Sequence, residues 1–332
     1  MQAELIYNAR AGAVIVRREL AWVVKYLERN GWSLSVHETR APLEATALAR
    51  QAAARGVEVV IAAGGDGTVS EVANGLAHTD TALGVLPVGT TNVWALQMRI
   101  PALYPLGTSS GLARLVADWE ERMDQSLPLS YYRSVLLDAA RVLVEGHVRT
   151  IDLGQVATRY FLMWSGVGFD AAVAGSVPPS DKKAFGMLAY VGTALDLVRE
   201  YKSTWVTLRR GGRVERIATP LIIATNIQLY GAVLPIGARA CVNDGKLDVC
   251  VFKGEGLFTF LHHVWKIAAR QHIQDPEIDY YQTDQLVIES ERPLPDHADD
   301  EPFTETPVTI RIVPGALKVI VPDDVPGDLF CP

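Results

Sequence analysis

The feature that most constrains the fold is a predominantly apolar run, Val57–Ala63, that ends directly in the glycine-rich segment Gly64–Thr68. Such a run is typical of a strand buried on both faces, and strands of that kind belong to parallel sheets. The next segment, Val69–Leu76, has the composition of a helix. The order strand, glycine loop, helix puts the loop at the carboxyl end of a parallel strand, where open α/β sheets bind ligands.

The first hundred residues repeat this alternation of strands and helices. The predicted strands are Glu4–Tyr7, Trp32–His37, Val57–Ala63 and Ala82–Leu86, and the predicted helices are Val14–Arg29, Pro42–Arg55, Val69–Leu76 and Thr91–Met98. Repetition of this kind predicts an α/β fold in which helices cover both faces of a parallel sheet.

The pattern changes after Pro101, and later segments are mostly strands. We predict a helix over Leu112–Asp124, a linker over Leu127–Leu129, and strands over Val148–Val156, Tyr160–Val167, Trp205–Arg209, Arg213–Ala224, Lys246–Phe252, Gln285–Glu289, Val308–Ile312 and Leu317–Val321. Two helices, Lys183–Tyr201 and Leu257–Gln271, interrupt these strands. This order predicts a second domain that is an antiparallel β-sandwich.

Composition excludes several classes of partner. Lys and Arg number 31 against 38 Asp and Glu, a net charge of −7, so the chain lacks the basic footprint of a nucleic-acid-binding protein. No apolar run approaches the roughly 18–20 residues of a membrane-spanning helix, and the acidic N-terminus does not resemble a signal peptide. We therefore expect a cytoplasmic protein that binds no nucleic acid.

The cysteines and the paired histidines give no sign of a disulfide or metal framework. Cys241, Cys250 and Cys331 are few and show no paired spacing, so we expect reduced, buried thiols. His262 and His263 lie in an apolar helical stretch without cysteine or carboxylate neighbours. We interpret them as residues of a helix face rather than as metal ligands.

The residue types of Gly64–Thr68 fit a phosphate-binding loop. Backbone N–H groups at the start of a helix carry partial positive charge, and glycines remove side chains that would block a phosphate. Asp66 would repel an anion, so it fits a contact to a nucleotide through Mg²⁺ or through a ribose hydroxyl. The spacing matches neither the dinucleotide fingerprint nor the Walker loop. The alternative is a tight turn in which Asp66 caps the helix.

A second loop of similar character, Pro87–Asn92, also lies between a strand and a helix. Two adjacent parallel strands that end in such loops form one crevice. Asn8–Gly12, after the first strand, and Thr39, after the second, would flank that crevice. Helix capping is the alternative role of Thr39, Thr90 and Thr91.

Several ordered blocks resemble the diacylglycerol kinase catalytic family, which includes bacterial lipid kinases and sphingosine kinases. Gly64–Gly75 is similar to the family's G-G-D-G-T-x-x-E-V-x-N-G block, Leu86–Asn92 to its L-P-x-G-T-x-N block, Ser165–Ala171 to its G-x-G-F-D segment, Asn243–Asp248 to its D-G-x-L-D segment, and Asp299–Glu301 to its D-G-E segment. The resemblance runs from Asn8 to about Val321. Gly64–Thr68 alone is less specific, because NAD kinases carry the same loop.

The resemblance implies that ATP binds in the crevice of the first domain. The matching nucleotide-contacting positions are Asn8, Ala9, Arg10, Ala11, Gly12, Thr39, Gly64, Gly65, Asp66, Gly67, Thr68, Val69, Ser70 and Thr90. Glu71 and Asn92 fall in the same blocks and would support the loops. Residues 1–128 would form the ATP-binding domain and residues 129–321 the β-rich domain for the lipid substrate, with residues 322–332 able to return to the first domain.

The same resemblance implies a general base. The acid of the D-G-E segment maps to Glu301, which would take the proton of a lipid hydroxyl held in the cleft between the domains. Asp299 would orient that acid or join a water-bridged magnesium network with Asp66. The alternative for Asp299–Glu301 is a solvated acidic loop.

A structural Mg²⁺ site is also implied by the resemblance. The Asp244 side chain and the main-chain carbonyls of Cys241 and Lys246 would bind the ion, since hard oxygen ligands suit magnesium. The segment Asn243–Gly245 is also a strong hairpin-turn signal, and the two interpretations are compatible.

Three positions depart from the family pattern: Val93 replaces a frequent Asp, Asp300 replaces the glycine of D-G-E, and Ala9 replaces a usual Pro. Asp300 would either raise the pKa of the neighbouring base through like-charge repulsion or be a solvated variation. The tract 102–129 matches no motif and serves as part of a lipid entrance or as a linker.

The resemblance thus implies an ATP- and Mg²⁺-dependent lipid kinase, with diacylglycerol as the favoured acceptor and phosphatidic acid as the product. The alternatives are a kinase of a sphingoid base or another lipid alcohol, an NAD kinase-like small-molecule kinase, and an inactive homologue that binds nucleotide or lipid. We expect peripheral contact with the inner face of the membrane, through apolar residues around Leu257–Trp265, with core packing as the alternative and favoured use of most of them. The sequence leaves the oligomeric state open, a homodimer included.

Overall fold

The computed structural model describes residues 1–8, 15–89, 92–102, 129–177, 187–231 and 234–331. The chain divides into two compact units, Met1–Thr150 with Leu317–Pro326, and Ile151–Ala316 with Gly327–Pro332. The strands are β1 (Gln2–Asn8), β2 (Ser33–Thr39), β3 (Val59–Gly64), β4 (Ala82–Pro87), β5 (His147–Val156), β6 (Arg159–Phe161), β7 (Trp164–Gly168), β8 (Thr204–Arg210), β9 (Arg213–Thr219), β10 (Leu221–Thr225), β11 (Leu247–Phe252), β12 (Ile278–Thr283), β13 (Gln285–Ser290), β14 (Pro295–Ala298), β15 (Glu301–Glu305) and β16 (Val308–Val321). The helices are α1 (Ile15–Arg29), α2 (Glu44–Ala54), α3 (Asp66–Leu76), α4 (Val93–Gln97), α5 (Leu129–Glu145), α6 (Phe169–Ser176), α7 (Met187–Leu197) and α8 (Gly256–Ala268), with a 3-10 turn at His272–Gln274.

The first unit is built on a parallel sheet in the strand order β2-β1-β3-β4. The last residues of β16 extend this sheet in parallel beside β4, where Lys318 pairs with Ala82. Every residue of β3 and β4 is buried, which explains why both strands are apolar along their whole length. Helix α2 packs on α3, and α1 packs on α5. These observations confirm the predicted parallel α/β fold.

Helix α5 is not predicted from the sequence. Its first residue, Leu129, is also the last residue of the predicted linker. Its buried side chains Leu136, Ala139, Ala140 and Leu143 recur every three to four residues, which is a helical period. The helix is tied to α1 by Arg133, whose Nε donates to the buried carboxylate of Glu19 at 2.8 Å. The predicted helix Leu112–Asp124 lies outside the described residues.

The second unit is an antiparallel β-sandwich, as predicted. One sheet has six strands in the order β12-β11-β10-β7-β14-β15, all paired antiparallel. The other contains β5, β6, β8, β9, β13 and the first residues of β16. Buried apolar side chains from both sheets form one core, among them Phe161, Val167, Leu208, Val249 and Ile310.

Several predicted strands differ in extent from the observed ones. The predicted strand Tyr160–Val167 is divided into β6 and β7, and Arg213–Ala224 is divided into β9 and β10 at Pro220, which has no N–H to donate to a ladder. Strands β9 and β10 then pair in different sheets. The predicted strands Val308–Ile312 and Leu317–Val321 are one strand, β16. Strands β12, β14 and β15 and helix α6 are not predicted from the sequence, because each is short.

A disulfide bond joins Cys241 to Cys331, so the expectation of three reduced thiols is wrong for these two. The cysteines are 90 residues apart, and only the return of the C-terminal segment brings their Cα atoms within 5.7 Å. Cys250 is free and buried, as predicted. Among the described helices, none is both long and apolar enough to cross a bilayer.

Candidate functional site

The first glycine loop begins where β3 ends. Gly64 is the last residue of the strand, Gly65 is the N-cap residue, and α3 starts at Asp66, three residues earlier than predicted. Gly64 allows this early start because it has no Cβ atom. A Cβ atom there would collide with the side chain of Thr68 in the first turn. The N-terminal N–H groups of α3 therefore lie at the carboxyl end of a buried parallel strand, in the place where helices bind anions.

The two glycine loops of the first unit touch each other through their backbones. The N–H of Val88 donates to the carbonyl of Gly64 at 3.1 Å. A Cβ atom at Gly89 would lie 2.5 Å from the Cα of Gly65, so only glycine at position 89 allows this approach. The structure thus brings together Gly64–Thr68 and Pro87–Gly89, the two segments in which the sequence predicts a shared crevice.

Asp66 has a role that the sequence did not reveal. Its carboxylate accepts the backbone N–H groups of Val93 at 2.9 Å and of Trp94 at 3.1 Å, which are the first residues of α4. The alternative in which Asp66 caps its own helix is wrong, because Gly65 holds the N-cap position of α3 and its backbone is extended. Asp66 instead joins the first loop to the helix that follows the second loop.

Asn92 holds the second glycine loop, whereas Glu71, which the sequence analysis expected to support a loop, bonds instead to the start of α2. Asn92 adopts a left-handed conformation with φ 53° and bonds both the N–H and the carbonyl of Gly89, at 3.2 and 2.6 Å. The Glu71 carboxylate accepts the N–H of Ala45 at 3.1 Å, and its carbonyl accepts the hydroxyl of Thr46 at 2.8 Å. These bonds fasten the start of α2 to α3.

The other predicted nucleotide contacts lie at the ends of β1 and β2. Asn8 pairs with Thr39 in the register of the two strands, and the Thr39 hydroxyl donates to the carbonyl of Tyr7 at 3.4 Å. Thr68, Val69 and Ser70 are buried in α3. Ala9, Arg10, Ala11, Gly12, Thr90 and Thr91 lie outside the described residues.

In the second unit, Asp299 and Asp300 form a two-residue turn between β14 and β15. Both have positive φ, 49° and 62°, a conformation that glycine adopts more easily. The Asp299 side chain is only 3% exposed, and it accepts the N–H groups of Leu162, Met163 and Trp164 at 2.8, 2.9 and 3.2 Å. A solvated acidic loop is therefore excluded for Asp299, which anchors the connection from β6 to β7.

Glu301, the predicted general base, is the first residue after this turn. Its side chain is 42% exposed and forms an ion pair with the guanidinium of Arg159, which is largely buried. The Glu301 side chain is thus partly accessible, in contrast to the buried Asp299. Arg159 is a site residue that the sequence analysis missed, since nothing in the sequence links positions 159 and 301.

A buried polar network next to the turn was also missed. His297 Nε2 lies 2.5 Å from Asp170 Oδ2, and the hydroxyl of Tyr230 donates to the other carboxylate oxygen of Asp170. The N–H of Asp300 donates to His297 Nδ1 at 3.1 Å. Burial acts to lower the pKa of His297, and the carboxylates of Asp170, Asp300 and Asp296 act to raise it. The geometry decides for the neutral ring: the N–H of Asp300 points at Nδ1, which must keep its lone pair to accept, so the ring proton lies on Nε2 toward Asp170.

Asp296 lies on the same strand as His297 and is fully buried. One of its oxygens accepts the hydroxyl of Ser165 at 2.7 Å, and the other has no hydrogen-bond partner among the residues that the structure describes. Burial raises the pKa of Asp296 to about 7, and the charge of Asp170 acts in the same direction. Asp296 therefore exchanges a proton near neutral pH, unlike an ordinary aspartate.

The predicted magnesium loop contains a turn held by carboxylates. Asp244 Oδ1 accepts the N–H of Lys246 at 3.0 Å, and Asp152 accepts the N–H groups of Gly245 and Gly315, each at 2.7 Å. Burial, with the added negative charge of Asp152, raises the pKa of Asp244. A hard cation would offset both effects, so the oxygen donors predicted at Asp244, Cys241 and Lys246 fit Mg²⁺ chemically.

The paired histidines on α8 are helix-face residues, as predicted. His262 Nε2 lies 3.1 Å from Oδ2 of Asp275, and His263 is buried against Phe252. Burial, with the neighbouring His262, lowers the pKa of His263 to about 4, so that ring stays neutral. Within the part of the chain that the structure describes, no group of three or more His, Cys, Asp or Glu side chains is arranged to hold a metal ion.

Comparisons with known proteins agree with this architecture in both units. The model of the diacylglycerol kinase catalytic domain matches residues 2–156, and that of the YegS C-terminal NAD kinase beta sandwich-like domain matches residues 165–321. A crystal structure of a diacylglycerol kinase from Bacillus anthracis str. Sterne has a TM-score of 0.73 at 22% identity and covers 98% of each chain. It shares the fold.

Relatives with higher identity extend the comparison to sequence. A diacylglycerol kinase of Staphylococcus aureus (strain JH9) is 25% identical over 330 residues, 98% of this chain and 93% of the relative. A diacylglycerol kinase of Bacillus subtilis (strain 168) is 30% identical over 289 residues, 86% of this chain and 85% of the relative. Since this similarity spans the glycine loops and the β-sandwich alike, the chain belongs to the diacylglycerol kinase family and is a lipid kinase.

Proposed function

We propose that this lipid kinase transfers the γ-phosphoryl group of ATP to the free hydroxyl of diacylglycerol and forms phosphatidic acid. The observation that carries the proposal is the backbone contact between Gly65 and Gly89, which leaves a side-chain-free edge beside the N-terminus of α3. Such an edge suits a polyphosphate. The choice of diacylglycerol rests on the names of the relatives, both of which are diacylglycerol kinases.

The nucleotide would bind to the first unit. We assign the phosphates to the N–H groups of Gly65–Gly67, since that of Thr68 donates to the carbonyl of Gly65. The rest of the nucleotide is assigned to the ends of β1 and β2 at Asn8 and Thr39. Bound Mg²⁺ would neutralise charge that develops on the phosphates, as it does in other phosphoryl transfers. The carboxylate of Asp66 is the candidate ligand in this unit, because a carboxylate is a hard oxygen donor of the kind that Mg²⁺ prefers.

The proton acceptor would be Glu301. As the lipid oxygen attacks the γ-phosphorus, its proton passes to the Glu301 carboxylate, the bond from the γ-phosphorus to the bridging oxygen breaks, and ADP leaves with that electron pair. Arg159 would fix the direction of the Glu301 carboxylate. The anchoring of Asp299 on three N–H groups supports this assignment, since it immobilises the residue two positions before Glu301.

A second Mg²⁺ would have a structural role at Asp244 and at the carbonyls of Cys241 and Lys246. It would hold the turn that precedes β11 and would not touch the reacting groups. The carboxylates of Asp152 and Asp248 contribute to the local negative charge that such an ion would balance.

Two apolar features of the second unit suit a lipid substrate. Phe169, the neighbour of Asp170, lies in a buried cluster with Val173, Val198 and Tyr201. On α8, Phe258, Leu261 and Trp265 are exposed and spaced so that they share one helix face. We assign the first feature to the acyl chains and the second to peripheral contact with the membrane.

The proposal is tested with labelled ATP against diacylglycerol, a sphingoid base and NAD, using the wild type, Glu301→Gln and Glu305→Gln. Glu305 lies on the same strand and is exposed, so it is the matched control. We expect transfer to diacylglycerol, a loss of at least 10²-fold in kcat for Glu301→Gln with ATP binding retained, and no loss for Glu305→Gln. Transfer to NAD alone, or to no acceptor, would overturn the proposal.

A further inference from the structure

His297 is a fully buried histidine on β14 with both ring nitrogens engaged. On one side Nε2 meets Oδ2 of Asp170 at 2.5 Å. On the other side Nδ1 accepts the N–H of Asp300 at 3.1 Å. A residue at the start of α6 is thereby joined to the turn that precedes Glu301.

The network around this histidine is closely fitted. Asp170 is fixed from its second oxygen by the hydroxyl of Tyr230, and the ring of Tyr230 lies 4.9 Å from that of Trp164. Gly166 is the residue of β7 that faces the pair, and a Cβ atom there would collide with both the Asp170 carboxylate and His297 Nε2. The pair therefore depends on a glycine at position 166.

The turn needs an external support. Asp299 and Asp300 both have positive φ, which is unfavourable for residues other than glycine. The Asp299 carboxylate supplies one support through the N–H groups of Leu162–Trp164. The Asp300 N–H donates to Nδ1 of His297, which supplies a second support. The backbone immediately before Glu301 is thus held from two directions by buried side chains.

We propose that His297 is a positioning residue, which holds the Asp299–Asp300 turn through Nδ1 so that Glu301 stands ready to accept the proton of the lipid hydroxyl. The inference rests on the proposed function, because it gives Glu301 the role of base. The inference requires that kcat depends on the bond between the Asp300 N–H and His297 Nδ1, and not on the bond between His297 and Asp170. A proton acceptor that is displaced by about 1 Å loses on the order of 10²-fold in rate.

Two conservative variants separate the two contacts. In His297→Asn, the amide oxygen takes the place of Nδ1 and can accept the Asp300 N–H, while the bond to Asp170 is lost. In His297→Gln, the amide nitrogen takes the place of Nε2 and can donate to Asp170, while the bond to Asp300 is lost. The control is His272→Asn, because His272 is also fully buried in the second unit but contacts the carbonyl of Ile236, away from the turn.

The measurement is kcat and KM for ATP and for diacylglycerol, together with the urea midpoint of each variant. We expect His297→Asn to keep kcat within about threefold of wild type and His297→Gln to lose about 10²-fold in kcat, with KM for ATP unchanged in both. A kcat for His297→Gln equal to or above that of His297→Asn overturns the inference. An inactive wild type would instead refute the proposed function, so the two failures are distinguishable. A loss of kcat that follows the urea midpoint across all three variants, including His272→Asn, also overturns the inference.

Discussion

The carboxylate of Asp66 accepts the backbone N–H of Trp94 at 3.1 Å, so a residue of the first glycine loop caps the helix that follows the second loop. A second bond, from the N–H of Val93, completes the cap. The position expected to contact a nucleotide or its metal ion is therefore also a structural joint of the first unit. Mutations at Asp66 should reveal both functions.

Asp66→Ala should lower the free energy of unfolding by about 1–2 kcal/mol, because two N–H groups of α4 lose their acceptor. Asp66→Asn keeps one acceptor oxygen and should lose less than half of that. If Asp66 also contacts Mg²⁺, both variants should lose kcat alike despite their different stabilities. Urea unfolding and steady-state kinetics check this, and full activity in Asp66→Asn would leave Asp66 with the capping role alone.

We expect substitution of Asp299 to lower mainly the stability of the protein, and substitution of Glu301 to lower mainly its turnover. Asp299→Ala leaves three buried N–H groups without an acceptor, and we expect a loss of roughly 3–5 kcal/mol of stability. Glu301→Gln removes a partly exposed ion pair and should cost less than about 1 kcal/mol while abolishing turnover. Urea unfolding of the two variants decides the matter, and equal stabilities would contradict the anchoring role of Asp299.

The Cys241–Cys331 bond predicts the number of reactive thiols. Alkylation in denaturant without reductant should modify one cysteine, Cys250, and alkylation after reduction should modify three. In the folded protein Cys250 should resist alkylation, because burial raises the pKa of its thiol. Cys331→Ser should cost roughly 2–4 kcal/mol of stability. Mass spectrometry of the alkylated chain makes the measurement, and three thiols modified without reductant would rule out the disulfide.

Asp296 predicts a fall in stability as the pH rises. Its folded pKa of about 7 lies above the ordinary value of 3.8, so its contribution is complete below about pH 4 and is lost as the pH rises through 7. The side chain of the Asp296→Asn variant stays neutral at every pH. The free energy of unfolding of this variant relative to wild type should therefore increase between pH 4 and 8, by on the order of 4 kcal/mol at most.

The control for Asp296 is Asp80→Asn. A hydrogen bond from Lys318 lowers the pKa of the exposed Asp80, so the stability that Asp80 contributes is present above its ordinary pKa and is lost in acid. Asp80→Asn should therefore lose stability relative to wild type as the pH rises, opposite in sign to Asp296→Asn. Urea unfolding at several pH values tests both, and parallel pH profiles for wild type and Asp296→Asn would refute the raised pKa.

The exposed apolar face of α8 predicts binding to membranes. Phe258 is 88% exposed and Trp265 is 58% exposed, and replacing both by Ser should reduce binding to phosphatidylglycerol vesicles by at least tenfold. Trp205→Ser is the control, since Trp205 is similarly exposed but lies on β8. Sedimentation with vesicles measures the bound fraction. An equal loss in the control, or no loss in the double variant, would exclude α8 as the contact.

The sequence by itself determined the α/β alternation of the first unit, the β-sandwich of the second, and the two glycine loops. These features have local signals, because apolar periodicity reports burial and a glycine reports a close approach of backbones. Gly65 and Gly89 are adjacent in space for the simple reason that β3 and β4 are neighbouring parallel strands. Their meeting could therefore be predicted without coordinates.

Only the tertiary structure decided which acids hold the backbone and which remain accessible. Asp299 and Glu301 are two residues apart and look alike in the sequence, yet the first is buried on N–H groups from residues 162–164 and the second is open beside Arg159. The Asp170–His297 pair and the Cys241–Cys331 bond likewise join distant segments. The state of a carboxylate or a thiol depends on its partners, and partners that are 90 or more residues away leave no periodic trace in the chain.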